Sequence, residues 1–150
     1  MRRPRLIAAV AVGVFAFLAI SFLLARALTG ANAERAEVLA ALRAQAAGDA
    51  GAMLARMPAC AQEPACARTA RDRAARLKRP GEMQIVRFEP SVQATLTRRI
   101  GTARVVWRAG KNGLPVVQCV RVRRDGPLSG ATVELLSISA PIGRESSCPG

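Results

Sequence analysis

The sequence predicts an α+β domain behind an N-terminal transmembrane helix, with about three helices packed on a curved five-stranded antiparallel sheet. Three observations predict it. Residues 6–25 are uncharged and almost wholly apolar; apolar residues recur at helical spacing between 32 and 79; and beyond Gly81 the period falls from 3.6 to 2, with turn signals at intervals suited to a meander.

The N-terminus comes first. "LIAAVAVGVFAFLAISFLLA" is long enough, at about 1.5 Å per residue, to span a hydrocarbon core about 30 Å thick. Arg2, Arg3 and Arg5 precede it and only Arg26 directly follows, so the positive-inside bias keeps the short flank in the cytoplasm and exports the rest. The expected location is therefore the cell membrane, single-pass, with the lipid bilayer as partner of residues 6–25 and the C-terminal part extracytoplasmic. "ANA" at 31–33 resembles a signal-peptidase site, which leaves secretion after cleavage near Ala33 as the alternative. The run exceeds a usual signal h-region and Arg26 separates it from that site, which favours retention. The expected division is 1–28 for the tip and anchor or signal, 29–33 for a linker, and 34–150 for the domain.

Outside the cytoplasm thiols meet oxidising conditions, so Cys60, Cys66, Cys119 and Cys148 are expected to form two disulfides. Three connectivities are open, and local pairing is preferred: Cys60 with Cys66 closes a short loop around Pro64, and Cys119 with Cys148 pins the C-terminal tail to a strand. The chain-entropy relation gives about 2 and about 3.5 kcal/mol for these loops. A zinc clamp lacks ligands, since the chain has no histidine and C-x5-C is not a usual spacing. A redox motif would need C-x-x-C, which is absent.

After the Thr29-Gly30 break, residues 32–47 read as a helix capped by Asn32, with Leu39, Leu42 and Ala46 at helical spacing and Gly48 at its end. Asp49 caps a short helix carrying Met53, Leu54 and Met57, which Pro58 stops. Residues 65–79 give the third, with Ala67, Ala70, Ala74 and Leu77 on one side and Arg68, Arg71, Arg76 and Arg79 largely on the other. The expected strands are 82–89, 92–100, 102–109, 115–124 and 131–139, punctuated by Glu89-Pro90-Ser91, Gly101, "GKNG" at 110–113 and "DGPLSG" at 125–130. In "PVVQCVRVRR" one face carries Val116, Val120 and Val122, interrupted by Gln118; the other carries Val117, Cys119, Arg121 and Arg123. Val86, Phe88, Leu96, Val105, Trp107, Val116, Val120 and Leu136 are the expected core.

This order of elements, with "ERAEVLAALRAQAAGDAGAMLARM", "RVVWR", "PVVQCVRVRRDG" and "VELLSIS", resembles the nuclear-transport-factor-2-like (cystatin-like) superfamily, especially its membrane-anchored exported bacterial members. The resemblance covers about residues 33–140. It implies a cone whose sheet and helices enclose a pocket, used for catalysis, ligand binding or assembly. Catalytic members commonly line that pocket with acid, histidine or tyrosine side chains. This chain has neither histidine nor tyrosine, so no catalytic residue is carried over.

Of the acids, Asp49 reads as a cap, Asp72 sits among arginines and Asp125 occupies a turn, while Glu82, Glu89 and Glu145 have no special setting. Glu134 alone lies mid-strand, where alternation puts it with Leu136 and Ile138 on an interior face and would let it serve as a general base. No P-loop, G-x-S-x-G, H-E-x-x-H or dinucleotide fingerprint occurs, and neither a metal nor a cofactor is expected. The formal charge is +13, from 23 Lys and Arg against 10 Asp and Glu. That excess suits an anionic neighbour, with Arg68, Arg71, Arg76 and Arg79 as possible anion-binding residues for lipid headgroups or envelope polymers. Nucleic acid is not the expected partner, because Phe88 and Trp107 are the only aromatics outside the apolar run. The leading expectation is a non-catalytic extracytoplasmic interaction or ligand-binding domain tethered to the membrane by a single N-terminal helix, with another envelope protein as a candidate partner. The alternatives are a small isomerase or hydrolase-like enzyme using Glu134, or polyanion binding through Arg68–Arg79.

Overall fold

The computed structural model describes residues 3–91, 100–125 and 132–149, the side chains of 3–9, 26–31 and 125 excepted. The chain divides into two compact units, Met1–Asn32 and Ala33–Gly150. Among the described residues four helices come first: α1 (Arg3–Ala47), α2 (Ala50–Ala55), α3 (Pro58–Gln62) and α4 (Pro64–Arg76). The strands β1 (Met83–Glu89), β2 (Ile100–Ala109), β3 (Val116–Asp125) and β4 (Thr132–Ile138) then form one antiparallel sheet in the order β1-β2-β3-β4.

The transmembrane helix expected at 6–25 is corrected: among the described residues no helix is long and apolar enough to cross a membrane. The described side chains of the apolar run are those of residues 10–25, all exposed. The Thr29-Gly30 pair does not break the chain either. It lies inside α1, where one glycine costs only about 1 kcal/mol against many helical hydrogen bonds.

Further along, the helix signals sit on the expected residues, and the prolines act in the opposite sense. Gly48 ends α1 at φ 78°, with Gly48 N–H donating to Gln45 O and Asp49 N–H to Ala44 O, the αL ending that favours glycine. Asp49 then accepts from Ala52 N–H at 2.9 Å as the N-cap of α2. Pro58, expected as a stop, and Pro64 each stand in the first turn of a helix, where the missing N–H costs nothing. The cysteine loop is therefore two short helical starts, α3 and α4, stapled by Cys60–Cys66.

The five-stranded cone is corrected: among the described residues the sheet has four strands and is open, since β1 and β4 are not neighbours. Gly101, expected to separate two strands, lies within β2 opposite Val122. A Cβ at this position would lie 2.7 Å from Ser91 Cβ, so the glycine admits a close approach rather than a turn. Residues 92–99 of the expected second strand, Leu96 among them, lie outside the described residues. At the β2–β3 connection the positive φ falls on Gly110, at 69°, and not on Asn112 or Gly113. The connection from Gly110 to Pro115 is too long for a two-residue turn.

One face of the sheet carries the core. Val105, Trp107, Val120, Val122, Leu135 and Ile138 meet Val38, Ala41 and Leu42 of α1, Met53 and Met57, and the alanines Ala67, Ala70 and Ala74 of α4. Those α4 alanines follow the expected spacing and let the helix approach closely. Two expected core residues are displaced by bulges. Val86 is the unpaired residue between Ile85 and Arg87 and stands 58% exposed. In β4 the register slips between Arg121 and Val122, so Leu135, not Leu136, faces inward beside Ile138.

The other face is roofed by the C-terminal segment. Ser139 N–H donates to Cys119 O, Ile142 N–H to Val117 O, and Arg104 Nε to Ser146 O at 3.1 Å, before Cys148 joins Cys119. This explains why Val117 and Cys119 are buried on the face opposite the core. Both locally paired disulfides expected from the sequence are present.

Candidate functional site

The interior holds buried polar groups. Gln118, which interrupts the valine face of β3, is fully buried. Its Oε1 accepts from Trp107 Nε1 at 2.7 Å and from Gln45 Nε2 at 2.9 Å, while its Nε2 donates to Ser139 O at 2.8 Å. Every polar atom of that side chain is satisfied, as burial demands.

A second buried polar cluster escaped the sequence reading. Glu34 is 0% exposed. It accepts from Ser91 N–H at 2.9 Å and Ser91 Oγ at 2.8 Å, and from Arg124 Nε at 3.0 Å and Nη2. The signal was available, because Glu34 falls on the same helical stripe as Val38, Ala41 and Gln45. A carboxylate so enclosed fastens α1 to the end of β3 and to the turn after β1.

Glu134 is not the interior base that alternation suggested. The β4 bulge reverses the facing of residues before it, so Glu134 pairs with Arg123 on the face away from the core. Arg123 Nη2 donates to Glu134 Oε2, and both side chains are partly exposed. Glu89 is held by Arg87 at 2.7 Å and Arg104 at 3.4 Å, and Asp72, Glu82 and Glu145 are exposed. Among the described residues no group of three or more His, Cys, Asp or Glu is placed to hold a metal ion.

Open space lies between the helices and the sheet edge. A groove of about 310 Å3 is floored by Met53, Met57, the Cys60–Cys66 disulfide, Ala70 and Ile138. Glu63, Thr69, Arg73 and Ser137 supply its polar groups. Its size lies at the lower end of ligand pockets, and its mix of apolar floor and few polar groups is theirs. The helical starts at Pro58 and Pro64 create it: they turn α3 and α4 so that Cys60 and Cys66 meet beside β4.

Of the six cations between Arg68 and Arg79, Arg73 alone turns to this groove. Its Nη1 donates to Ile138 O. Ser139 N–H bonds Cys119 O, so by antiparallel alternation Ile138 directs its own carbonyl away from β3, toward the free edge. Arg73 thus occupies an edge acceptor, and burial draws its guanidinium below its ordinary pKa. Arg68, Arg71, Arg76 and Arg79 are all exposed. Helical spacing places Arg76 on the flank of Thr69 and Arg73, and Arg68 and Arg71 on the far side, so the four do not converge on one site. The Arg79 guanidinium donates to the carbonyls of Arg76 and Lys78.

No family model, curated protein or solved structure matches this chain.

Proposed function

We propose that the protein is a non-catalytic, extracytoplasmic interaction or ligand-binding domain that engages its partner through the groove between α2, α3, α4 and β4. The observation that carries this reading is an apolar groove floored by the thioethers of Met53 and Met57, with few polar groups around it. Methionine side chains adapt to varied apolar surfaces, which suits recognition more than positioned acid–base chemistry. The two disulfides support a location outside the cytoplasm, where such bonds persist.

The test uses methyl-labelled methionine. Adding the apolar probe N-phenyl-1-naphthylamine should shift the methyl signals of Met53 and Met57 and leave Met83 unmoved, since Met83 is buried in β1 away from the groove. Thr69→Trp, which fills the groove, should abolish those shifts. Absence of shifts at Met53 and Met57, or shifts that survive Thr69→Trp, refutes the reading.

One observation favours a second reading. Arg68, Arg71 and Arg76 are exposed and form no ion pair with a carboxylate among the described residues. Such a face attracts anionic headgroups by about 1 kcal/mol per arginine near a charged surface. Cosedimentation with phosphatidylglycerol vesicles should fall steeply with salt and weaken in the Arg68→Gln, Arg71→Gln, Arg76→Gln triple variant; equal sedimentation of that variant removes this reading.

A further inference from the structure

The groove has opposite charges at its two ends. Glu63 immediately precedes α4 and Arg73 lies in its last turn, so about 15 Å of helix rise separates them at about 1.5 Å per residue. The Glu63 side chain makes no capping hydrogen bond and, among the described residues, no ion pair. Arg73 gives one N–H to Ile138 O and keeps the rest of its fork, and Arg76 follows it on the same flank. Between these ends the lining is apolar or hydroxylic: Met53, Met57, Ala70, Ile138, Thr69 and Ser137.

From this arrangement we propose that the groove takes an extended stretch of a partner polypeptide, apolar in its middle, with a cationic group toward Glu63 and a carboxylate toward Arg73 and Arg76. About 15 Å corresponds to four or five residues at about 3.3 Å each. Thr69 Oγ1, which donates its proton to Ala65 O, can accept from a peptide N–H, and the Ser137 hydroxyl can pair with either peptide group; an apolar ligand lacks both. A single-charged acyl chain satisfies one end only and leaves Glu63 facing hydrocarbon or, reversed, facing its own like charge. Arg73 already fills the Ile138 carbonyl, so recognition runs through side chains and charge, not through strand addition to β4. This assignment rests on the groove being the binding site, and it adds the chemistry of the partner.

The experiment measures, on the full chain, fluorescence anisotropy of three end-blocked labelled peptides: Lys-Leu-Leu-Leu-Glu, Lys-Leu-Leu-Leu-Lys and Glu-Leu-Leu-Leu-Glu. The mixed-charge peptide should bind at least about fivefold tighter than either like-charged one, a difference of about 1 kcal/mol. In Glu63→Lys the preference should pass to the doubly acidic peptide. Glu63 is exposed and uncommitted, so this variant should fold, as its circular dichroism would show. Equal binding of all three peptides, a preference unmoved by Glu63→Lys, or tighter binding of decanoate than of any peptide overturns the assignment. If the apolar probe still shifts Met53 and Met57 in that case, the groove remains the binding site and only the partner's chemistry is wrong.

Discussion

The indole N–H of Trp107 points at Gln118 Oε1, 2.7 Å away, in the middle of the apolar core. Gln118 bridges β2, α1 and the start of the C-terminal segment at once, because Gln45 and the Ser139 carbonyl are its other partners. Gln118→Leu would fill the space but strand Trp107 Nε1 and part of Gln45. An unsatisfied buried polar group costs about 1–3 kcal/mol, so we expect a loss of about 2–4 kcal/mol by urea unfolding. Pairing it with Gln45→Leu should recover part of the loss.

Glu34 offers a sharper case. Removing one member of a buried ion pair leaves the other charge uncompensated, and Glu34→Ala should cost about 3–5 kcal/mol. Glu34→Gln retains an acceptor for Ser91 and should cost less. The double variant Glu34→Leu, Arg124→Met should lie closer to the parent than Glu34→Ala does; thermal unfolding of the three ranks them.

The two disulfides differ in what they hold. Cys119→Ala with Cys148→Ala opens the longer loop and should cost about 3.5 kcal/mol, against about 2 kcal/mol for Cys60→Ala with Cys66→Ala. Only the first should release the roof over Val117. Limited proteolysis should then cut within 140–149 at a rate the second variant does not share.

Arg73→Ala should expose the Ile138 carbonyl at the sheet edge and cost about 1–3 kcal/mol. It also removes a charge guarding an edge strand, so light scattering on concentration should rise above that of the parent. Arg73→Lys, which keeps the charge on a shorter reach, should restore low scattering and only part of the stability.

These expectations show where the sequence was legible. Local signals read well: Gly48 as an αL ending, Asp49 as a cap, the alanine stripe of α4 and the alternation of β3 all place residues by chemistry confined to a few neighbours. Proline was ambiguous, because the ring that ends one helix is equally suited to begin the next, and Pro58 and Pro64 do the latter. Bulges were invisible: Val86 and Leu136 follow perfect alternation, and only pairing with a neighbouring strand inserts the extra residue that turns them outward. The same slip moved Glu134 off the interior face. Glu34 was missed because a carboxylate on an apolar stripe gains its meaning from Ser91 and Arg124, which are distant in sequence. The groove, built by α2, α3, α4 and β4 together, has no linear signature beyond Met53 and Met57.

The knot of amides and indole inside the sheet has a consequence for descent. With that volume already committed, a lineage cannot acquire a new partner by hollowing the core face of the sheet without first dismantling its own support. Novelty has to be written on the exposed rim of the short helices, where exchanging Glu63, Ala65 or Thr69 alters contour without disturbing the scaffold, and offspring of this chain should differ most at those three sites.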